Sequence, residues 1–227
     1  MPAQPLVERT VRVIVASLSL DATLAIPERA QGIVLFAHGS GSSRHSPRNR
    51  AVAAELQRAS MSTLLLDLLT NREEHADPHG GQPRFDIELL TDRLLATTSW
   101  VRQQAEIATL PIGYFGASTG AAAALVAAAR QPGDVGAIVS RGGRPDLAGD
   151  ALADVRAPTL LIVGSDDREV LELNERARAR MHGEVRLDII DGATHLFEEP
   201  GALEEVARLA TAWFIRHLTP GSRATAP

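Results

Sequence analysis

The sequence has no cysteine among its 227 residues. Disulfides, thiolate metal sites and a cysteine nucleophile are therefore excluded. Aromatic residues are scarce, at 4%, and no apolar run is long enough to span a bilayer. The sequence has no long basic run and the formal net charge is -5, which argues against nucleic-acid binding because phosphates require concentrated positive charge. The first residues lack a basic segment followed by an apolar run, so we predict no signal peptide, no membrane association and a cytoplasmic location.

The length of the chain suits one α/β domain and is too short for two of full size. Apolar residues make up 44% of the sequence and charged residues 22%, proportions that allow a sizeable core. No shift in composition and no linker divides the chain. We therefore predict one domain over residues 1–227, with its core at 8–218 and a flexible tail of small and polar residues at 219–227.

Short apolar runs alternate with helical patterns along most of the sequence. Residues 11–16 and 22–26 are rich in β-branched and small apolar side chains and predict an antiparallel hairpin at a sheet edge. Most of the later runs are apolar throughout, which is typical of strands buried on both faces: 32–37, 63–67, 112–115, 137–140, 159–163 and 185–190. Apolar residues at helical spacing predict helices over 48–59, 85–105, 119–130, 170–181 and 203–218. This order predicts an α/β fold with a mostly parallel central sheet and helices on both faces.

Polar segments follow four of the predicted strands directly. They are residues 38–43 (HGSGSS), 116–120 (GASTG), 164–167 (GSDD) and 191–195 (DGATH). Ligands in such sheets bind beyond the carboxyl ends of the parallel strands, at the edge where these segments meet. We therefore expect all four segments to border one crevice.

The segment 116–120 has the pattern G-x-S-x-G, with Ser118 at its centre. In this pattern the serine occupies a tight turn between a strand and a helix, and the neighbouring backbone leaves no room for a side chain two residues before or after it. An apolar strand precedes Ser118 and an alanine-rich helix follows, which is the context that the pattern requires. The pattern predicts a catalytic nucleophile, with a packing turn around a buried serine as the alternative.

A serine hydroxyl needs a base to accept its proton, and the base needs an acid to orient it. His195 is the candidate base and Asp167 the candidate acid, with Asp166 as the alternative acid. The backbone N–H groups of Thr119 and Ser40 are predicted to hold the oxyanion. Alone, the histidine would suit a surface position and the aspartate a helix N-cap, but their order along the chain after the serine favours a triad.

Arg44 and Arg141 both lie shortly after predicted strands. A guanidinium at such a place could bind the carboxylate of an anionic substrate, because its planar fork matches a carboxylate. The alternative, which we favour at this stage, is an internal ion pair that ties the loops together.

Residues 71–84 form the longest stretch without a pattern and predict either a loose connection or a flap near the site. His75, Asp77 and His79 lie in this stretch, without a further close ligand or a regular spacing. We therefore predict no metal site.

These motifs resemble the α/β-hydrolase superfamily and, within it, the dienelactone hydrolase-like family. The resemblance extends from about residue 33 to residue 218 and rests on five segments: 38–44 (HGSGSSR), 46–49 (SPRN), 115–120 (FGASTG), 140–146 (SRGGRPD) and 195–201 (HLFEEPG). It implies the α/β-hydrolase fold and a triad of Ser118, Asp167 and His195 that needs no cofactor. Dienelactone hydrolase itself uses a cysteine nucleophile, so this chain resembles a serine variant of that family.

The expected activity is that of a carboxylesterase or lactonase, which cleaves a small-molecule ester or lactone through an acyl-enzyme. Two alternatives remain open: an acyltransferase or perhydrolase that uses the same triad, and a non-catalytic binding module of the same fold. Trp213 and Phe214, on the last predicted helix, are expected in the core or in an interface, which leaves a homodimer open.

Overall fold

The computed structural model of the chain describes residues 5–75 and 83–219. Eight strands form one sheet: β1 (Leu6–Val15), β2 (Leu18–Pro27), β3 (Gly32–Ala37), β4 (Met61–Leu66), β5 (Ile112–Ala117), β6 (Val135–Arg141), β7 (Thr159–Gly164) and β8 (Val185–Ile190). Their order across the sheet is β1-β2-β4-β3-β5-β6-β7-β8. The pairs β1–β2 and β2–β4 are antiparallel and the remaining neighbours are parallel. The predicted fold class is thus confirmed, including the hairpin at the edge.

The five strands from β4 to β7 in sheet order are buried along their whole length. Their sequences are apolar without alternation because side chains on both faces of the sheet pack against helices. β8 is the last strand of the sheet, and most of its residues are only partly buried. The hairpin strands are longer than the predicted runs. The pattern misses the first residues of β1 because they are exposed, and exposed positions tolerate charged side chains such as Glu8 and Arg9.

The helices of the described residues are α1 (Pro47–Arg58), α2 (Asn71–His75), α3 (Ile87–Arg102), α4 (Thr119–Arg130), α5 (Arg168–Arg178) and α6 (Ala202–Leu218). Apolar residues of α3, α4 and α5 pack on one face of the sheet, and those of α1 and α6 pack on the other. Trp213 and Phe214 of α6 are buried in this second core.

The shorter elements escape prediction from the sequence. Asn71–His75 is helical although no pattern indicates a helix there, and Pro83–Phe85 and Pro145–Asp154 form 3₁₀ segments. Elements of this kind rarely show a repeated apolar spacing. The longer 3₁₀ segment buries Ala148 and Leu152 in the core that contains α4.

Several predictions concern residues that the structure does not describe. Asp77, His79 and the side chain of His75 lie outside the described part, so the flap and metal alternatives for residues 71–84 stay untested. The predicted tail lies outside it as well, beyond Thr219. Among the helices of residues 5–75 and 83–219, none is both long enough and apolar enough to cross a membrane.

Candidate active site

Ser118 is the single residue between the end of β5 and the start of α4. Its φ of 50° and ψ of -122° are rare for a residue that carries a side chain, and such a conformation costs about 1–3 kcal/mol. Close packing accounts for the flanking glycines. A Cβ at Gly116 would lie 2.4 Å from Ala121 Cα, and one at Gly120 would lie 2.1 Å from the Ala37 carbonyl oxygen. The turn leaves the serine partly exposed at the carboxyl end of β5.

Asp167 and His195 are joined by a short hydrogen bond. His195 Nδ1 lies 2.6 Å from Asp167 Oδ2, and the His195 side chain is 40% exposed while that of Asp167 is 15% exposed. With the Nδ1 proton donated to the carboxylate, Nε2 is left as the acceptor that a general base requires. Asp166, the alternative acid, accepts a hydrogen bond from the Ser165 hydroxyl at 3.4 Å instead. The geometry therefore favours Asp167.

The loops after β7 and β8 are packed tightly against each other. The Asp166 N–H donates to the Ala193 carbonyl at 3.0 Å. A Cβ at Gly164 would lie 2.1 Å from the same carbonyl oxygen, so only glycine permits this approach. The two loops therefore bring Asp167 and His195 together although they lie 28 positions apart in the sequence.

The end of β6 lies between Ser118 and the histidine. The Ser118 N–H donates to the Arg141 carbonyl at 3.4 Å. At the next residue, Gly142, φ is 49° and a Cβ would lie 3.5 Å from His195 Nδ1. Residues that follow three different strands are thus gathered around this turn, as the crevice predicted from the sequence requires.

Ser40 and Thr119 lie side by side next to the serine. The Ser40 N–H donates to Thr119 Oγ1 at 3.2 Å. Thr119 is the first residue of α4, where backbone N–H groups have no acceptor within the helix. A Cβ at Gly39 would lie 2.9 Å from Ser118 Cβ, so the loop after β3 passes close to the serine. The Thr119 hydroxyl is a part of the site that the sequence motif did not indicate.

His38 supports this loop from within the protein. Its Nε2 accepts the Leu68 N–H at 3.1 Å, and its Nδ1 lies 2.9 Å from the Gly39 carbonyl oxygen. The ring is buried, and these contacts assign the proton to Nδ1. Both ring nitrogens are occupied, so His38 holds the loop in shape.

Arg44 and Arg141 have opposite surroundings. The Arg44 N–H donates to Asp67 Oδ1 at 2.6 Å, and its guanidinium forms an ion pair with the same carboxylate. Arg44 therefore adopts the internal ion pair that the sequence analysis favours. Arg141 is only 8% exposed, and its Nε and Nη1 have no hydrogen-bond partner in the described part of the chain. Burial, and to a lesser extent the charge of Arg48, lowers the pKa of Arg141 to about 10.

A polar cleft of about 610 Å³ opens beside the loop after β3. Its lining includes Ser40, Ser42, Ser43, Arg48, Glu74 and Arg84. This volume is within the range of small-molecule sites. Of the predicted site residues, only Ser40 lines the cleft. Across the described ranges, no three histidine or acidic side chains are grouped so that they could hold a metal ion.

Comparison with known proteins gives a consistent family. Residues 20–214 match the model of the Dienelactone hydrolase family. The crystal structure of dienelactone hydrolase from Anabaena variabilis ATCC 29413 is 55% identical, with a TM-score of 0.92 over 94% of this chain and 99% of that one. Est1E from Butyrivibrio proteoclasticus has a TM-score of 0.76 over 91% of this chain and 98% of that one, and at 16% identity this likeness concerns the fold alone.

A curated protein of Mycobacterium tuberculosis (strain ATCC 25618 / H37Rv) carries a provisional phosphoribosyl transferase name. It is 58% identical over 214 residues, which are 94% of this chain and 47% of the mycobacterial protein. The chain therefore spans about half the length of the curated relatives it matches.

Proposed function

The chain belongs to the dienelactone hydrolase family, and from this premise we propose that it is a serine hydrolase that cleaves a small carboxylic ester or lactone. The observation that carries the proposal is the 2.6 Å contact between His195 and Asp167, which lies against Gly142 at the end of β6. The residue before this glycine, Arg141, accepts the N–H of the strained Ser118. A histidine oriented by a carboxylate and placed by a serine on a strand-to-helix turn is the arrangement that activates a hydroxyl for attack on a carbonyl.

In the proposed mechanism, Ser118 Oγ attacks the carbonyl carbon of the substrate while His195 Nε2 accepts the hydroxyl proton. Asp167 keeps the imidazole in the required tautomer and stabilises it once it is protonated. His195 then returns the proton to the leaving oxygen, and the acyl group remains on the serine. Water, deprotonated by the same histidine, releases the carboxylic acid and restores the serine.

The negative charge on the carbonyl oxygen is proposed to be held by the backbone N–H groups of Thr119 and Ser40. The Ser40 N–H is bonded to Thr119 Oγ1 in the structure, so this threonine hydroxyl has to rotate away before the second donor becomes free. Rotation about one side-chain bond is fast compared with turnover.

The test combines active-site labelling with hydrolysis of a short-chain p-nitrophenyl ester. A fluorophosphonate is expected to label Ser118, and Ser118→Ala is expected to abolish labelling and to lower kcat by at least about 10⁴-fold. Ser99→Ala, which changes an exposed serine on α3, is the control and should keep full activity. Circular dichroism establishes that both variants are folded. Hydrolysis that survives in Ser118→Ala would refute the proposal.

A second arm of the same experiment examines the acid. Asp167→Asn lets the amide donate toward His195 and favours the wrong tautomer, so kcat should fall by about 10³- to 10⁴-fold. Asp166→Asn makes the same chemical change one residue earlier, away from the ring, and should retain most of the activity. The opposite ranking of the two variants would assign the role to Asp166.

Acyl transfer to an alcohol or to peroxide would use the same residues. Product analysis with these acceptors present distinguishes transfer from hydrolysis. A binding module without catalysis would show equal, background rates for the wild type and for Ser118→Ala.

We also propose that the substrate carries a negative charge that Arg141 binds. Arg141 is buried at the end of β6, next to the serine backbone, and its Nε and Nη1 meet no acceptor of the described residues. The charge of Arg48 contributes to the lowered pKa of Arg141, although Arg48 itself is paired with Glu198 at 3.0 Å. Arg44, by contrast, is neutralised by Asp67, so we assign it no contact with the substrate.

The phosphoribosyl transferase name of the mycobacterial relatives belongs to proteins about twice as long as the matched region. The matched half is the part that resembles the dienelactone hydrolase family. We therefore propose that any phosphoribosyl transfer by those relatives resides in their other half, and we assign hydrolysis to this chain.

A further inference from the structure

Strand β1 is an open edge of the sheet. It pairs with β2 over all ten of its residues, and no other strand of the described ranges lies beside it. Its outer side therefore presents unpaired backbone N–H and C=O groups, which can accept another strand. The hairpin also carries four of the nine large apolar side chains that the described residues expose: Leu6, Val7, Ile14 and Leu18.

Alternate residues of β1 point to opposite faces of the sheet. The odd-numbered residues Val11, Val13 and Val15 pack against the core beneath α3. The even-numbered residues therefore share the other face, in the order Leu6, Glu8, Thr10, Arg12 and Ile14. Apart from its central threonine, this series reads apolar, acidic, basic, apolar from one end to the other.

Such a series is complementary to itself. Two copies related by a twofold axis perpendicular to the sheet keep the same face up and run antiparallel. With Thr10 opposite Thr10 of the second copy, Glu8 lies opposite Arg12 of the second copy and Leu6 opposite its Ile14. Opposite charges and apolar side chains at directly facing positions stabilise an antiparallel pair.

The neighbouring registers lack this match. An axis at Glu8, Arg9 or Arg12 places a charge opposite its own copy, which is repulsive. An axis at Val11 places Glu8 opposite an apolar Ile14. Only the register centred on Thr10 pairs both charge signs on the even face.

We propose that a second copy of this chain pairs with β1 in the register centred on Thr10, so that one sheet continues through both copies. Glu8 has no ion-pair partner in the described ranges. The Arg12 side chain is 78% exposed, and its ion pair with Asp21 is long, at 3.9 Å. Both side chains are therefore available to a partner. Val7, which is 55% exposed, comes to lie beside Val13 of the second copy.

This interface is independent of the proposed function. Strands β2, β4 and β3 separate β1 from β5, the strand that directly precedes Ser118. Variants of the edge should therefore change association without changing kcat or KM per chain.

Analytical ultracentrifugation over a range of protein concentrations tests the proposal. The wild type is expected to dimerise. Glu8→Arg and Arg12→Glu each place like charges opposite each other twice and should raise the dimer dissociation constant at least about tenfold. The double variant Glu8→Arg/Arg12→Glu restores opposite charges and should dimerise again. Arg29→Glu, at an exposed position in the turn after β2, makes the same change in net charge as Arg12→Glu and should behave as the wild type.

Three results would overturn the proposal: a monomeric wild type at every concentration, single variants that dimerise as the wild type does, or a double variant that stays monomeric. The second result would point to another surface and the third to another register. Circular dichroism of all four variants shows that each is folded.

Discussion

Burying an arginine costs free energy unless an anion or a set of acceptors meets its guanidinium. Arg141 is 92% buried, and two of its three guanidinium nitrogens lack an acceptor within the described residues. It directly precedes Gly142, whose backbone lies against His195. A protein can retain such a residue when a ligand supplies the missing charge. An anionic substrate would do so, and its carboxylate would gain a hydrogen bond to a charged donor.

Arg141→Ala should therefore raise KM for an acidic ester, such as p-nitrophenyl hemisuccinate, by about tenfold or more, since hydrogen bonds to charged groups contribute about 1.5–3 kcal/mol. KM for p-nitrophenyl acetate should change by less than about twofold. Steady-state kinetics with both esters measures the difference.

Two controls separate this role from a structural one. Arg44→Ala removes an arginine that is already paired with Asp67 and should not discriminate between the esters. Arg141→Met keeps the volume of the side chain and should not destabilise the fold, because it removes a buried charge without a partner. Equal changes in KM for both esters would contradict the assignment.

The site residues differ in how far the sequence could predict them. Ser118 and His195 follow from a motif and from polar residues at strand ends, which are local features. Asp167 could be preferred over Asp166 only by position and by family resemblance, because which of two adjacent carboxylates faces a ring depends on the loop conformation. The Thr119 hydroxyl contact to Ser40 joins residues 79 apart in sequence, and no local pattern reports it.

At the level of elements, α2 shows what a short helix needs in order to form. Five residues are too few for a stable isolated helix. Glu73 of α2 accepts hydrogen bonds from Arg93 of α3 at 2.8 and 2.5 Å and from the Thr70 N–H at 2.8 Å. Arg93 also donates to the Leu68 carbonyl at 2.7 Å. These contacts tie α2 to α3 and to Leu68, whose own N–H donates to His38.

The Arg93 guanidinium and the Thr70 groups lower the pKa of Glu73 from its ordinary value of 4.5 to about 2. A lowered pKa means that the folded state favours the ionised carboxylate, so this contribution to stability is complete above pH 4.5 and is lost as the pH falls toward 2. Glu73→Gln should therefore reduce the free energy of unfolding at neutral pH, and its difference from the wild type should shrink over that acidic range. Urea unfolding at a series of pH values measures both.

Glu74→Gln serves as the matched control, because it removes the neighbouring carboxylate of the same helix without touching Arg93. It should follow the pH dependence of the wild type. If the difference between Glu73→Gln and the wild type persisted unchanged at pH 2, the ion pair with Arg93 would not be its cause.

The predicted strands and long helices agree with the structure because each of them repeats an apolar pattern that burial enforces. α2 and the 3₁₀ segment Pro145–Asp154 have no such repeat, since they are fixed by side-chain contacts with other elements. The first residues of β1 were missed for a related reason: Glu8 and Arg9 lie on an exposed edge, where no burial pattern develops.

At the scale of the whole molecule, one sheet separates two apolar cores, and the candidate active site lies at the carboxyl ends of its parallel strands. The crevice was predictable because parallel strands end on the same side of a sheet. The division of the core was predictable only in outline, because the sequence places Trp213 and Phe214 equally well in a core or in an interface. Both are buried, with Phe214 packed close to Gly113 of β5.

Phe214 therefore connects the last helix, α6, to β5, the strand that directly precedes Ser118. A Cβ at Gly113 would lie 2.6 Å from Phe214 Cε1, so the ring fits against bare backbone and has no space to shift. Phe214→Ala removes a fully buried aromatic side chain and should lower the free energy of unfolding by about 3–5 kcal/mol. Ile215, the next residue of the same helix, is 41% exposed, and Ile215→Ala should cost no more than about 1 kcal/mol. Urea unfolding of the two variants compares them directly, and a similar cost for both would mean that α6 is not anchored to the sheet through this ring.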